Sequence, residues 1–189
     1  MTDASYTRPM ASAAPMTAEE LLRLNLPDKR TELVRGRLVV REPAGHAHGR
    51  VAMRIGAAIA QHVQQHRLGE TFAAETGFTL QRDPDTVRAP DVAFVASTRL
   101  SQLGARGYAD IPPDLAVEVL SPDDRPGEVL QKVGDWLSAG CRLVWILDPI
   151  RRTGTVYRAD GTMALLGEHD AFDGEDVLPA FRSQLTTLL

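Results

Sequence analysis

The sequence contains one cysteine, Cys141, and this scarcity excludes several kinds of site. A single thiol cannot form an intramolecular disulfide, and it has no second thiol with which to bind a metal. Because Cys141 opens the apolar run CRLVWIL, we interpret it as a small buried hydrophobic residue.

Long hydrophobic runs are also missing. No apolar stretch approaches the roughly 18 residues that a membrane-spanning helix requires. The first residues, MTDASYTRPMASAAP, lack the hydrophobic core of a signal peptide. We therefore expect a disordered tail over residues 1–15, no membrane segment and a cytoplasmic protein.

An excess of basic residues is absent as well. The chain of 189 residues has a formal net charge of −4, whereas general nucleic-acid binders usually carry a basic excess. Neither Ser121 nor Ser138 lies in a nucleophile elbow, and no glycine-rich loop could cradle a phosphate. A composition of 43% hydrophobic and 24% charged residues is that of an ordinary globular protein. The chain length predicts a single domain over residues 16–189.

Hydrophobic periodicity predicts an α/β domain. TAEELLRLN begins with a capping box of Thr17 and Glu20, which is typical of a short helix. TELVRGRLVVRE, residues 31–42, predicts a hairpin that turns at Gly36. Apolar residues at helical spacing predict a long helix over residues 48–67. The remaining predicted elements are strands at 71–81, 90–97 and 113–121, a helix at 128–140, a strand at 141–149 and a C-terminal strand meander.

Two carboxylates occupy unusual places in this pattern. Glu118 lies inside the apolar run LAVEVL, where an ionised group is costly unless it is paired, hydrogen-bonded or bound to a metal. Asp91 opens the preceding strand. Because sequential strands are commonly neighbours, the two acids could meet at one site. Two close carboxylates repel each other, so they would favour a hard divalent cation such as Mg²⁺ between them.

Each candidate also has a simpler structural interpretation. Asp91 could close the turn that follows Asp83–Asp85, because aspartate is common in turns. Glu118 could form a salt bridge with Arg142 on the next strand, and Lys132 could form a surface pair with Glu128 one helical turn earlier.

The histidines give a weaker signal. His62 and His66 stand four residues apart, a spacing at which two side chains on one helical face can bind a metal. No third ligand with suitable spacing is visible, so a solvated polar face is the preferred interpretation.

Several segments together resemble a known family. They are TAEELLRL and TELVRGRLV, a histidine that opens a long helix, TVRAPDVAFV, DLAVEVLSP, a K-x-x-x-W followed by AG, and VWILDP. In this order they resemble the Uma-type endonucleases of the restriction-endonuclease-like superfamily, which is named for its PD-(D/E)XK motif. The likeness runs from about residue 16 to the C-terminus. It implies a restriction-endonuclease-like core with a mixed β-sheet flanked by helices, an N-terminal hairpin and a C-terminal strand meander.

The resemblance also assigns the central site residues. Asp91, after Pro90, corresponds to the PD step, and Glu118 corresponds to the acid of the second half-motif. The motif name expects a lysine two residues after that acid, but this sequence has Leu120 there. The resemblance implies that Lys132, on the following helix, replaces the missing lysine.

Two further residues match family positions. Glu32 matches a glutamate that completes the catalytic set, and His48 matches a frequent histidine to which no role is assigned. The implied reaction is hydrolysis of DNA phosphodiester bonds. Asp91 and Glu118 would hold one or two Mg²⁺ ions, with Mn²⁺ as a substitute, and Lys132 would orient water or offset negative charge in the transition state.

Two other functions stay open, namely a catalytically silent binding module on the same fold and a metal-dependent hydrolase of a smaller phosphoester. A positive groove wide enough for a duplex would favour DNA, whereas arginines scattered over the surface would favour a small substrate. The candidates for lining such a groove are Arg82, Arg88, Arg106, Arg125, Arg151 and Arg152. Cutting both strands of a duplex takes two sites, so we also expect a homodimer.

Overall fold

The structure, a computed structural model, describes residues 14–189. Its strands are β1 (Arg30–Val34), β2 (Arg37–Arg41), β3 (Gly69–Ala73), β4 (Phe78–Gln81), β5 (Thr86–Arg88), β6 (Val92–Ala96), β7 (Leu115–Val119), β8 (Leu143–Asp148), β9 (Thr153–Arg158), β10 (Met163–Leu166), β11 (Ala171–Asp173) and β12 (Arg182–Gln184). Its helices are α1 (Ala18–Arg23), α2 (His46–His66), α3 (Pro126–Ser138) and α4 (Leu185–Leu188), with a 3₁₀ helix at Ser97–Gln102. The predicted tail over residues 1–15 lies almost entirely outside this range. Between residues 14 and 189 no helix is long and apolar enough to cross a membrane.

The N-terminal elements form as the sequence predicts. Thr17 caps α1, because its hydroxyl accepts the Glu20 N–H at 3.2 Å while the Glu20 carboxylate accepts the Thr17 N–H at 2.8 Å. Strands β1 and β2 form an antiparallel hairpin that turns at Gly36, whose positive φ of 73° suits a residue without a side chain. The hairpin belongs to a small sheet with the strand order β2-β1-β5-β4.

The larger sheet has the strand order β10-β9-β8-β7-β6-β3. Its pairings are antiparallel except between β7 and β8, which are parallel. A parallel pair requires a crossover connection, and α3 supplies it. The sheet is therefore mixed, as predicted, and the chain continues from β8 into the C-terminal meander of β9 and β10.

Helices cover both faces of this sheet. On one face, α2 buries a stripe of residues spaced by four, Val51, Ile55, Ile59 and Val63, against Val117 and Val119 of β7. On the other face, Val133 and Trp136 of α3 pack against Ala116. Because strand residues alternate between faces, Glu118 shares the face of Ala116 and points toward α3. Ala116 and Glu118 therefore lie on one face of β7, and Val117 and Val119 lie on the other.

One strand prediction was wrong in detail, and one strand was not predicted. Residues 71–81 do not form one strand, because the chain turns between β3 and β4, with Glu75 in the left-handed conformation at a φ of 70°. The two halves consequently belong to different sheets. The segment Thr86–Arg88, for which no element was predicted, forms β5 and pairs with β1 through Leu33 and Val87. This pairing brings Arg88 beside Glu32.

Candidate active site

A cleft of about 540 Å³ opens where the ends of the hairpin strands meet the larger sheet and the first turns of α2 and α3. Its carboxylate lining residues outnumber its cationic ones. The carboxylates are Glu42, Asp91, Glu118, Asp123, Asp124 and Glu128, and the cations are Arg30, Arg41 and Lys132, with His48 beside them. Three of the four predicted catalytic residues, Asp91, Glu118 and Lys132, therefore lie in one cavity.

Glu118 is held by two side chains of α3. Its Oε2 accepts a hydrogen bond from Lys132 Nζ at 2.8 Å, and its Oε1 accepts one from Trp136 Nε1 at 3.0 Å. Lys132 and Trp136 are four residues apart, so they share one face of the helix. Burial, reinforced by the charges of Asp91 and Glu32, raises the pKa of Glu118 to about 7 against the opposing effect of Lys132. Glu118 is thus a carboxylate that lacks full charge compensation.

Asp91 lies just before β6, where antiparallel pairing brings it beside β7. Its Oδ2 accepts the Val119 N–H at 2.8 Å and lies 3.1 Å from His48 Nε2. Its Oδ1 accepts a hydrogen bond from Arg30 Nη2 at 3.1 Å. Although burial acts to raise the pKa of Asp91, the contacts with His48 and the Val119 N–H outweigh it, and the pKa lies below its usual value. The residue is an anion fixed from three directions.

Lys132 bridges two carboxylates that come from different sheets. Its Nζ lies 2.8 Å from Glu118 Oε2 and 3.2 Å from Glu32 Oε1. Burial would lower the pKa of this amine, but the two carboxylates outweigh burial and raise it. Lys132 is therefore a cation at neutral pH.

Glu32 lies behind Lys132 rather than in the main cleft. It lines a smaller adjacent cavity of about 200 Å³. Its Oε2 accepts a hydrogen bond from Arg88 Nη1 at 2.8 Å, and its Oε1 accepts the Ala89 N–H at 3.1 Å. Although burial acts in the opposite direction, Lys132 and Arg88 lower the pKa of Glu32 to about 2. Both oxygens of Glu32 are engaged by the protein itself.

The simpler interpretations of these residues do not match the contacts. The turn is closed by Asp85, whose Oδ1 accepts the Asp83 N–H at 3.2 Å, and not by Asp91. Arg142 contacts Asp176 instead of Glu118. Glu128 binds Arg41 at 3.0 Å instead of Lys132.

In the part of the chain that the structure describes, the six arginines named as candidates for a duplex groove are not among the residues that line the cavities. Most bind carboxylates close by: Arg82 contacts Glu19, Asp85 and Asp110, Arg88 contacts Glu32 and Asp135, Arg151 contacts Asp148, and Arg152 contacts Glu168. The basic residues at the cavities are instead Lys29, Arg30 and Arg41 of the hairpin and Lys132.

Sequence reasoning did not connect four residues with the site, namely Arg30, Arg88, Asp135 and Trp136. Each acts through a contact with a residue far away in the sequence, for example the 61 positions between Arg30 and Asp91. The K-x-x-x-W spacing was the one available signal, because it places Lys132 and Trp136 on one helical face.

The His62–His66 pair has ring centroids 4.4 Å apart, and His62 Nε2 lies 3.0 Å from the Pro179 carbonyl oxygen, so this pair lies away from the cleft.

Comparison with known proteins agrees with this architecture. The sequence profile of the family described as "Uma2: Putative restriction endonuclease" matches residues 18–187. The chain belongs to the Uma2 family. No curated protein matches the chain. A solved structure, described as a putative nuclease belonging to DUF820 from Anabaena variabilis ATCC 29413, is 22% identical and superposes with a TM-score of 0.78. The match covers 92% of this chain and 97% of that chain. The core of this Uma2 protein has the predicted restriction-endonuclease-like fold.

Proposed function

We propose that this Uma2 protein is a metal-dependent endonuclease that hydrolyses phosphodiester bonds of DNA. The observation that supports the proposal most strongly is the pairing of Lys132 with Glu118 at 2.8 Å, beside Asp91, which directly precedes the neighbouring strand β6. Two acids and an amine at the end of two strands correspond to the residues of the PD-(D/E)XK motif. Here the amine reaches the site from α3, because residue 120 is a leucine.

The donor set fits a hard divalent cation. Asp91 and Glu118 offer carboxylate oxygens to one cleft, and six carboxylates against three cationic side chains leave that cleft with excess negative charge. In the described range of 14–189, no group of three or more His, Cys, Asp or Glu residues is arranged as a metal site. Mg²⁺ is commonly bound by only one or two carboxylates, with waters and substrate phosphates as its other ligands. We therefore propose Mg²⁺ on Asp91 and Glu118, with Mn²⁺ as a substitute.

The side chains around the acids supply the rest of the proposed chemistry. A bound divalent cation would neutralise the scissile phosphate and lower the pKa of water. Lys132 stays protonated and offsets the negative charge that develops on the phosphate. Arg30 holds the Asp91 carboxylate from the hairpin side and faces both cavities. Glu32 completes the set as a positioning residue, because it contacts Lys132 and does not line the main cleft.

Two features bear on the substrate. Lys29, Arg30 and Arg41 at the ends of the hairpin strands provide positive charge that suits phosphates flanking the scissile bond. None of the six other arginines lines either cavity, and this specifically favours a second candidate, a hydrolase of a smaller phosphoester. A homodimer that cuts both strands remains a prediction, and a catalytically silent module is the third candidate.

The test compares substrates and metals in a single assay. Wild-type protein is incubated with supercoiled plasmid, single-stranded DNA and bis(p-nitrophenyl) phosphate, in Mg²⁺, Mn²⁺ or EDTA. We expect DNA cleavage in either metal and none in EDTA. Asp91→Ala and Glu118→Ala should each reduce the rate by about 10³-fold or more, since both metal ligands are needed. Glu168→Gln, which removes a surface carboxylate paired with Arg152, is the control and should cleave normally.

The other outcomes separate the candidates. Hydrolysis of the small diester without DNA cleavage would replace the proposal with the smaller phosphoester. No hydrolysis of any substrate by folded wild-type protein would replace it with the silent module. Cleavage that survives both alanine substitutions would place the active site elsewhere.

A further inference from the structure

Lysine is rare in this protein. The chain has 21 lysines and arginines, and only Lys29 and Lys132 are lysines. Lys132 is also the residue that departs most from the motif, because it projects from a helix instead of from the strand that carries Glu118. An amine on a helix reaches the right place only if the rotation and height of that helix are fixed against the sheet. The structure contains a specific contact that does this.

Arg88 connects the strand side of the site to the helix side. Its Nη1 donates to Glu32 Oε2 at 2.8 Å, and its Nη2 and Nε donate to Asp135 Oδ2 at 2.6 and 3.1 Å. Glu32 belongs to β1 and contacts Lys132, whereas Asp135 lies one helical turn after Lys132 on α3. The Arg88 guanidinium therefore positions Lys132 in two ways. It binds Glu32, which contacts the Lys132 amine, and it binds Asp135, which lies on the same helix as Lys132.

The contact is buried and depends on the shape of arginine. The Arg88 side chain is 6% exposed, and those of Glu32 and Asp135 are 10% and 15% exposed. A planar guanidinium can donate to two carboxylates on different sides at fixed angles, whereas a lysine ammonium is a point charge on a flexible stem. A residue needed only for charge balance would not require this geometry.

We propose that Arg88, together with Asp135, is a positioning residue that holds α3 so that Lys132 stays on Glu118 in the active site. This proposal rests on the function proposed above, because it assigns Lys132 a role in the reaction. Arg88 itself lines neither cavity and is not a catalytic residue.

The first test does not depend on cleavage. Lysine-selective isotope labelling gives two side-chain ammonium signals by NMR, one for each lysine. In Arg88→Gln, and in Asp135→Asn if the first variant does not fold, the Lys132 signal should shift and its protons should exchange faster with water. The Lys29 signal should be unchanged, since Lys29 pairs with Glu42 at the surface. A Lys132 signal that superposes on that of wild type in a folded variant would overturn the proposal.

The second test uses activity and separates positioning from general stability. Arg88→Lys should lower kcat by about tenfold to a hundredfold, the loss typical of a misplaced catalytic group, while the half-saturating Mg²⁺ concentration stays unchanged. In a Lys132→Met background the same substitution should have no further effect, because the two residues act as a unit. Arg99→Lys is the matched control, since Arg99 also pairs with a buried carboxylate, Asp114, away from the cleft.

The outcomes distinguish this proposal from the function on which it rests. An equal loss in both backgrounds, or an equal loss in Arg99→Lys, would overturn the positioning role while leaving the nuclease in place. If wild-type protein cleaves nothing, the proposed function fails, and the NMR comparison still decides whether Arg88 holds Lys132.

Discussion

Two arginines in this protein each bind several carboxylates in very different surroundings. Arg88 contacts Glu32 and Asp135 with its side chain 6% exposed. Arg82 contacts Glu19, Asp85 and Asp110 at 2.8 to 3.0 Å with its side chain 47% exposed. The contact distances are similar, so bond length does not distinguish the two clusters. Their exposure to water does.

The comparison shows which charged contacts contribute to stability and shift pKa values. At the surface, water and salt compete with each ion pair, and such pairs contribute little to stability. In the buried cluster, removal of one partner leaves another charge without compensation. The buried cluster also includes Glu118 and Lys132, so the same burial that makes it consequential for stability shifts the pKa of the proposed catalytic groups.

The largest expected difference between the clusters is in stability. Arg88→Ala should lower the free energy of unfolding by about 3–5 kcal/mol, because Glu32 and Asp135 would remain buried without their shared cation. Arg82→Ala should cost about 1 kcal/mol or less, because Arg82 is half exposed and Asp85, its one buried partner, keeps hydrogen bonds from the Ala18 and Asp83 N–H groups. Urea denaturation of the two variants beside wild type measures both values. Equal losses would show that burial does not distinguish the clusters.

A smaller effect is expected from pH. The pKa of Glu118 is raised from 4.5 to about 7, so between these values the folded protein keeps a proton that the unfolded chain loses. Without added metal, stability should therefore fall as the pH rises from 4.5 to 7, by on the order of 2 kcal/mol. Glu118→Gln should flatten this slope in thermal unfolding. Glu19→Gln in the Arg82 cluster should not, because hydrogen bonds lower the pKa of Glu19 instead of raising it, so Glu19 cannot produce a loss of stability with rising pH.

Added Mg²⁺ should change this dependence of stability on pH. A cation bound at Glu118 competes with the proton, so Mg²⁺ should raise Tm more at pH 8 than at pH 5. A stabilisation that is the same at both pH values, or that persists in Glu118→Gln, would place the bound ion elsewhere.

The smallest expected effect comes from salt. At 1 M NaCl the screening length is about 3 Å, so the small deficit of Arg82→Ala should disappear. The deficit of Arg88→Ala should remain, because its partners Glu32 and Asp135 are only 10% and 15% exposed and are therefore screened less by salt. Unfolding curves at low and high salt test this, and a salt-sensitive Arg88 deficit would contradict the assigned burial.

Much of the fold was accessible from local patterns. The capping box at Thr17, the hairpin at Gly36 and the apolar stripe of α2 each depend on residues within a few positions of one another. Glu118 could be placed on the sheet face opposite Val117 and Val119 because strand residues alternate between faces. Strand β5 was missed because its three residues stand among Asp and Pro, and only pairing with β1 makes them a strand.

The charged contacts were less predictable. Arg88 was expected at a groove because its sequence neighbours do not reveal Glu32 and Asp135, which lie 56 and 47 positions away. Each of the six candidate arginines for which the structure shows a partner contacts a carboxylate outside the cleft. Glu118 could be singled out because an ionisable residue inside an apolar strand is itself a signal, whereas Asp91 was assigned through the family resemblance.

The most direct test of the proposed role of Lys132 removes its amine and places a new amine at residue 120. Lys132→Met should lower DNA cleavage by about 10²-fold or more, because it removes the cation that offsets developing charge. Adding Leu120→Lys to this variant returns an amine to the motif position, and residue 120 lines the cleft. We predict that this double variant recovers at least part of the lost rate in Mg²⁺. Cleavage by Lys132→Met at the wild-type rate would contradict the account, because Lys132 would then have no part in the reaction.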